Sequence, residues 1–290
     1  MEIRPKPARA EKNEVSPLTQ VRTGYACHGR ADLRSLEEYQ IWKATIGDSA
    51  DWVHFLRGEI LRDGFDDPFY GWVAPTDVED GPGDLREGLA ANGMTSRARA
   101  VLATLAHMAT RESRIYAAEA TTPLALRLRG QFPWFLGSEY ADDPVRRANM
   151  FPIPFQDLMG LTFEDETFDL VITNDVLEHV PDLDQALREM ARVLKPGGYH
   201  IGTHPFMYER EVGDLRAQFV DGKLVNYMEP EYHVNPFEDG GALVFETPGW
   251  DILRRAHAAG FSDAAMRLVW STRHGYIANQ LGIFVLSLQK

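Results

Sequence analysis

The chain is 290 residues long with 44% hydrophobic and 25% charged side chains, which suits one α/β domain with an extra lobe, or two small domains, and excludes wholesale disorder, a collagen-like chain and a disulfide scaffold. Thirty basic against forty-three acidic residues leave a formal charge of −13, a sign that repels phosphate backbones and anionic lipid. With no basic patch to offset it, neither nucleic acid nor a membrane is expected as a partner, and no window approaches the ~20 apolar residues of a membrane span.

Met1–Gln20 is polar and contains proline, so it reads as a loose arm without the apolar centre of a signal sequence. Cys27 is the single cysteine. An internal disulfide is therefore excluded, Cys27 and His28 alone cannot close a zinc site, no metal is expected, and a reducing cytoplasm is the expected compartment. From Leu33 to Arg62 apolar residues recur at helical spacing, with Gly47-Asp48-Ser49 breaking the run into two helices. Asp63 to Gly83 is an expected loop anchored by aromatic residues, Tyr70 and Trp72 among them, and a helix capped by Thr95 or Ser96 runs to Ala109. Residues 1–112 are thus read as a flexible arm and a helical lobe that acts as lid and substrate platform.

After Arg114 short apolar runs alternate with helices, the pattern of βαβ units and a mainly parallel sheet. Strands are expected at Ile115–Glu119, Trp134–Leu136, Phe168–Thr173 and Tyr199–Thr203, with helices at Pro123–Leu128, Asp182–Leu194 and Pro248–Ala259. Ala265–Ser271 and Leu281–Leu288 read as a closing antiparallel hairpin, and the polar stretch from about 207 to 247 as an insertion. Residues 113–290 then form one Rossmann-like domain. In such sheets ligands gather at the carboxyl ends of the strands, near the point where strand order reverses. Glu119 with Thr121-Thr122, Glu139-Tyr140, Gln156-Asp157-Leu158, and Asn174 to His179 occupy those ends.

The last cluster, read from Phe168-Asp169-Leu170-Val171 through Asn174-Asp175-Val176-Leu177-Glu178-His179 to Val193-Leu194-Lys195-Pro196-Gly197-Gly198, resembles the class I S-adenosylmethionine-dependent methyltransferases of small-molecule type. The resemblance implies a seven-stranded sheet whose last strand is antiparallel, S-adenosyl-L-methionine as cofactor, and methyl transfer to an O, N or S atom of a small metabolite. An amino acid or other carboxylate, including the sulfur of methionine, falls in that class. By position, Glu139 meets the ribose, Asp157 with the Leu158 backbone the adenine, and Asn174, Asp175 and Val176 the methionine end, with Tyr140 a further cofactor-side candidate. Glu119, Ala120 and Thr121 stand at the first loop. That loop departs from the family, whose first strand leads into Gly-x-Gly-x-Gly; here Ala118 to Leu124 contains no glycine, and Pro123 removes one amide donor. A methyltransferase-like binding or partner subunit without catalytic activity is the alternative.

Three histidines are candidate general bases: His204 after the fifth strand of the methyltransferase sheet, His179, and His233 in the insertion, each also readable as a structural residue that holds a loop. His28, Arg30, Tyr70, Trp72 and Tyr232 are substrate-side candidates, an arginine being suited to a carboxylate and an aromatic ring to a cation. The Tyr227–His233 stretch reads either as an active-site cover or as a homodimer contact.

Overall fold

The computed structural model describes residues 28–46, 49–67, 71–81, 83–235, 238–279 and 281–290. Cys27, Tyr70, the N-terminal arm and the Gly47-Asp48 break lie outside the described residues. The chain forms two compact units, one built on Gln40–Ala103 and Arg267–Phe284 together with 28–32, the other on Leu33–Tyr39, Thr104–Met266 and Val285–Lys290.

In chain order the elements of the N-terminal portion are β1 (His28–Leu33), α1 (Leu36–Ile46), α2 (Ser49–Asp63), β2 (Phe65–Asp67), β3 (Gly71–Val73) and α3 (Ser96–Leu105). Trp52, Leu56 and Ile60 recur at four-residue spacing, so α2 buries one stripe, and they pack with Phe65, Val73, Leu89, Ile277 and Leu281 into the core of the first unit. Trp42 packs against this same core. The expected loop after Asp63 is partly a hairpin, Phe65 opposite Val73 and Asp66 opposite Trp72. Helix α3 stops four residues short of the expected Ala109, because His107–Ala109 tighten into turns on Thr104 and Leu105.

The elements that follow are β4 (Ile115–Ala117), α4 (Pro123–Gln131), β5 (Phe135–Gly137), α5 (Pro144–Asn149), β6 (Phe168–Asn174), α6 (Leu183–Val193) and β7 (Leu194–Thr203). The stretch read as an insertion carries six short strands, β8 (Asp214–Leu215), β9 (Ala217–Val220), β10 (Lys223–Asn226), β11 (Tyr232–Asn235), β12 (Glu238–Leu243) and β13 (Glu246–Thr247), paired as three small antiparallel ribbons. Helix α7 (Asp251–Ala259) and strands β14 (Asp263–Ser271) and β15 (Ile283–Gln289) end the chain. The main sheet has seven strands in the order β1-β14-β15-β7-β6-β4-β5. Strands β5, β4, β6 and β7 are parallel, and β15 runs antiparallel to β7, so the expected antiparallel final strand is present.

Local chemistry accounts for the boundaries. Asp182 caps α6 by accepting from the Gln185 amide at 2.9 Å, and the buried residues Leu183, Ala186, Leu187 and Met190 give that helix one apolar face. Gly260 closes α7 at φ 109°, a left-handed conformation that a β-carbon would disfavour. From β4 the chain crosses outward to β5 on one side and to β6 on the other, so the strand order reverses between β4 and β6. The carboxyl ends of those two strands therefore flank the crevice.

Candidate active site

The first loop, Ala118 to Thr122, leaves β4 beside β6, where the Ala118 amide donates to the Ile172 carbonyl at 3.0 Å. Thr122 is the N-cap of α4, its hydroxyl accepting from the Ala125 amide at 3.1 Å, and Pro123 occupies the first helical position. A proline there sacrifices an amide that has no intrahelical partner in any sequence, so the missing donor costs the helix nothing. Glu119 is 5% exposed and takes a short hydrogen bond on Oε2 from the Thr122 hydroxyl. Its Oε2 is thus engaged inside the loop. Gly137, at the end of β5, lets the loop approach, because a β-carbon there would lie 2.5 Å from the Glu119 carbonyl oxygen.

Glu139 follows at the carboxyl end of β5, half-buried. Its Oε1 accepts three bonds from the first loop, from the Ala120 amide (2.8 Å), the Thr121 amide (3.2 Å) and the Thr121 hydroxyl (3.0 Å). Oε2 lies outside that set. Two main-chain bonds tie Glu139 to the next loop, Glu139 N–H to the Pro154 carbonyl and Gln156 N–H to the Glu139 carbonyl, with Glu139 and Phe155 in a parallel bridge. Tyr140 is exposed, its ring 5.7 Å from that of Phe155. Asp157 is half-buried and uses Oδ1 to accept the Met159 amide at 2.8 Å, which turns the chain over the buried Leu158. The sequence reading separated Glu119, Glu139 and Asp157 by strand; the structure brings Glu139 together with the first loop and with the Gln156–Leu158 loop.

At the end of β6 the Thr203 hydroxyl lies 2.7 Å from Asn174 Oδ1 and 3.3 Å from Asp175 Oδ1. The Asp175 amide donates to the Thr203 carbonyl at 2.8 Å, and Asp175 sits at φ 51°. Aspartate tolerates this left-handed region better than most residues because its short side chain bonds locally. Val176 then leads into a single 3-10 turn, Leu177–His179. His204 is 3% exposed with its ring 6.0 Å from Phe206, which itself packs on Trp250 at 5.1 Å. Tyr39 and Tyr208 complete this aromatic group. The sequence reading did not anticipate it, since its members come from three separate segments.

His179 and His233 are brought together. Their ring centroids are 4.9 Å apart and nearly perpendicular, and both rings face the fully buried Glu178. The Glu178 carboxylate, followed by Glu231, raises the pKa of His233 against the opposing effect of its partial burial. Glu231 was missed in the sequence, although the i, i+2 spacing with His233 places both on one side of an extended segment. Tyr232, between them, is exposed. His28 and Arg30 lie on β1 and Trp72 on β3, in the first unit; Arg30 pairs with Asp32 at 3.1 Å.

The donor set of the second unit suits a nucleoside. A half-buried carboxylate with one oxygen outside the loop network can accept from a ribose hydroxyl, an exposed phenol ring can cover a purine, and backbone lined by small residues can approach closely. Residues 137–202 match the family model described as a methyltransferase domain. Among curated relatives, the chain is 43% identical over 152 residues to a demethylmenaquinone methyltransferase of Staphylococcus haemolyticus, covering 50% of this chain and 60% of that protein. It is 26% identical over 198 residues to a malonyl-[acyl-carrier protein] O-methyltransferase of Halorhodospira halophila, covering 58% and 63%. The chain spans from 31% to 63% of the length of these and the methyltransferase GfsG of Streptomyces halstedii. A solved S-adenosylmethionine-dependent methyltransferase from Mesorhizobium loti aligns at 15% identity over 68% of this chain and 98% of that one, with a TM-score of 0.43. Residues 137–202, which hold the whole motif from Phe168 to Gly198, are thus similar to a methyltransferase domain.

Proposed function

We propose that the protein transfers the methyl group of S-adenosylmethionine to a small-molecule acceptor. The observation that carries this reading is Glu139: a half-buried carboxylate at the end of β5, linked both to the first loop and to the Gln156–Leu158 loop. In this reading Glu139 Oε2 accepts from the ribose, Tyr140 and Leu158 flank the adenine, and Asn174 to Val176 hold the methionine end. Glu119 acts one step back, by fixing the loop through Thr122. When bound, the cofactor supplies an electrophilic methyl group on a sulfonium. The chain's residues then contribute mainly alignment, which is worth several kcal/mol when the reacting atoms are held in line, on the order of 7–11 in favourable cases. An oxygen or nitrogen acceptor also needs a base. His179 and His233, both partly exposed, are better placed than the buried His204 to meet a substrate.

Titration calorimetry with S-adenosylmethionine and its demethylated product tests the first half of this reading. The wild-type chain is expected to bind both, and Glu139→Ala to bind at least about tenfold more weakly, the loss of one charge-assisted hydrogen bond; equal affinities would remove Glu139 from the site. Acceptor assays begin with demethylmenaquinone and malonyl-[acyl-carrier protein], the molecules in the relatives' names, and extend to amino acids, methionine among them. The alternative, a binding subunit without catalysis, draws on the three loop donors already held by Glu139 Oε1. Failure to bind cofactor at millimolar concentration would favour it.

A further inference from the structure

The 3-10 turn after β6 places Glu178 and His179 against the β11–β12 hairpin of the same unit. The Glu178 carbonyl accepts from the Phe245 amide at 2.7 Å, and Tyr232 and His233 on β11 register with Leu243 and Ala242 on β12. Glu178 is 0% exposed, yet among the described residues neither of its carboxylate oxygens has a hydrogen-bond partner. Such burial normally demands donors, or a cation. Glu178 Oε1 instead faces two imidazole nitrogens, His233 Nδ1 at 3.5 Å and His179 Nε2 at 3.7 Å.

The far side of each ring is held by an acceptor. His179 Nδ1 lies 2.9 Å from the Leu243 carbonyl oxygen, which requires that nitrogen to carry the proton and leaves the Nε2 lone pair toward Glu178. His233 lies between two carboxylates, Nε2 3.3 Å from Glu231 Oε1 and Nδ1 3.5 Å from Glu178 Oε1, and in the tautomer whose proton goes to Glu231 its Nδ1 is an inward electron pair. In that form two imidazole lone pairs and a carboxylate converge; a proton on His233 Nδ1 answers one of them, whereas a cation at their centre answers all three at once. Outer acceptors that fix the tautomer of each ring are the usual support of a metal-binding histidine.

We propose that Glu178, His179 and His233 bind a divalent transition-metal cation of borderline softness, such as Zn2+. One donor atom from each lies within 4.8 Å of the other two. A tetrahedral ion with bonds of about 2.1 Å has ligand edges of about 3.4 Å, so the two contacts to Glu178 are already near that spacing and closure asks the rings to draw together by about an ångström. Two nitrogens and one oxygen suit zinc, cobalt or iron better than magnesium or calcium, which prefer oxygen alone. The fourth position is left to water or to an oxygen of an exogenous ligand. This goes beyond the methyltransferase reading, and an ion bound here takes both imidazole lone pairs, so the two rings serve as general bases only in the metal-free chain.

The test uses the full chain stripped with a chelator, titrated with Zn2+ by calorimetry and with Co2+ by visible absorbance. One ion per chain is expected, with ligand-field bands for cobalt. His233→Ala, on an exposed hairpin where folding is least at risk, and His179→Ala should each abolish the cobalt bands, and Glu231→Gln should weaken zinc about tenfold through loss of the outer acceptor. The exposed His107→Ala should bind as wild type. Absence of saturable uptake by the wild-type chain, or equal zinc affinity in His233→Ala and wild type with unchanged far-ultraviolet dichroism, would overturn the proposal.

Discussion

Arg99 in the first unit and Glu178 in the second are both ionisable side chains removed from water, and their surroundings are opposite. The Arg99 guanidinium donates to the carbonyls of Met94 (2.6 Å), Leu89 (2.6 Å) and Gly275 (2.5 Å), and lies 4.5 Å from the centre of the Phe65 ring. Burial pulls its pKa down to about 10, which still leaves it charged at neutral pH. Its charge is therefore structural: the segment before α3 and the β14–β15 connection are tied to one side chain. Glu178 has no such set: among the described residues its carboxylate oxygens have no hydrogen-bond partner, and two imidazole rings stand off at 3.5 and 3.7 Å. A buried group whose terminal nitrogens are held by three carbonyls explains the fold around it, whereas one that receives no hydrogen bond points to a component that arrives from outside.

The largest effect should come from breaking the satisfied member. Arg99→Met preserves much of the apolar stem but strands three buried carbonyls, and a loss of about 3–5 kcal/mol is expected. Urea unfolding followed by tryptophan fluorescence measures it, since Trp52 lies in the core of that unit. A change below about 1 kcal/mol would show that water takes over the three carbonyls and that the guanidinium organises nothing.

The same contrast shows which parts of the molecule could be read in advance. Strand β6 and helix α6 were legible because burial writes a period into the chain: Phe168 to Thr173 is almost continuously apolar, and Leu183, Ala186, Leu187 and Met190 mark one helix face. Gly260 marked the end of α7. The insertion was opaque because its ribbons bury almost nothing; all four residues of β10 are exposed, so no alternation of apolar and polar residues survives to signal a strand. Strand-end residues such as Glu139 and Asp157 could be found from topology alone, but not their partners. That Glu119 turns inward to Thr122, or that His233 meets His179 across 54 positions of sequence, depends on loop conformations that leave no periodic trace.

His200 sharpens the comparison as an intermediate case. It is fully buried, with Nε2 2.8 Å from the Thr173 hydroxyl and no partner on Nδ1 among the described residues. Burial, aided by His204, holds its pKa down to about 3 against an ordinary value of 6.5. The unfolded chain takes up a proton near pH 6.5 while the folded chain refuses it until about pH 3. Its contribution to stability is therefore whole above the unfolded value and declines as the pH falls through this window, by about 1.4 kcal/mol per unit. Urea midpoints at pH 5, 6 and 7 should fall more steeply for the wild type than for His200→Asn, by close to one proton. Parallel slopes would mean that the imidazole is hydrated or mobile in the folded state.

The smallest effect is expected at Glu178, and there the direction matters more than the size. In chelator-treated protein, Glu178→Gln removes a buried carboxylate that accepts no hydrogen bond and supplies an amide that can donate to an inward imidazole nitrogen. Stability should therefore hold within about 1 kcal/mol of wild type or rise, the reverse of the usual cost of neutralising one partner in a buried pair. Zinc in excess should raise the midpoint of the wild type, because an ion that binds only the folded chain stabilises it by mass action, and should leave Glu178→Gln less affected. A metal-free loss of 3 kcal/mol or more in the variant would mean that the two histidines already solvate the carboxylate as donors, and the contrast with Arg99 would disappear.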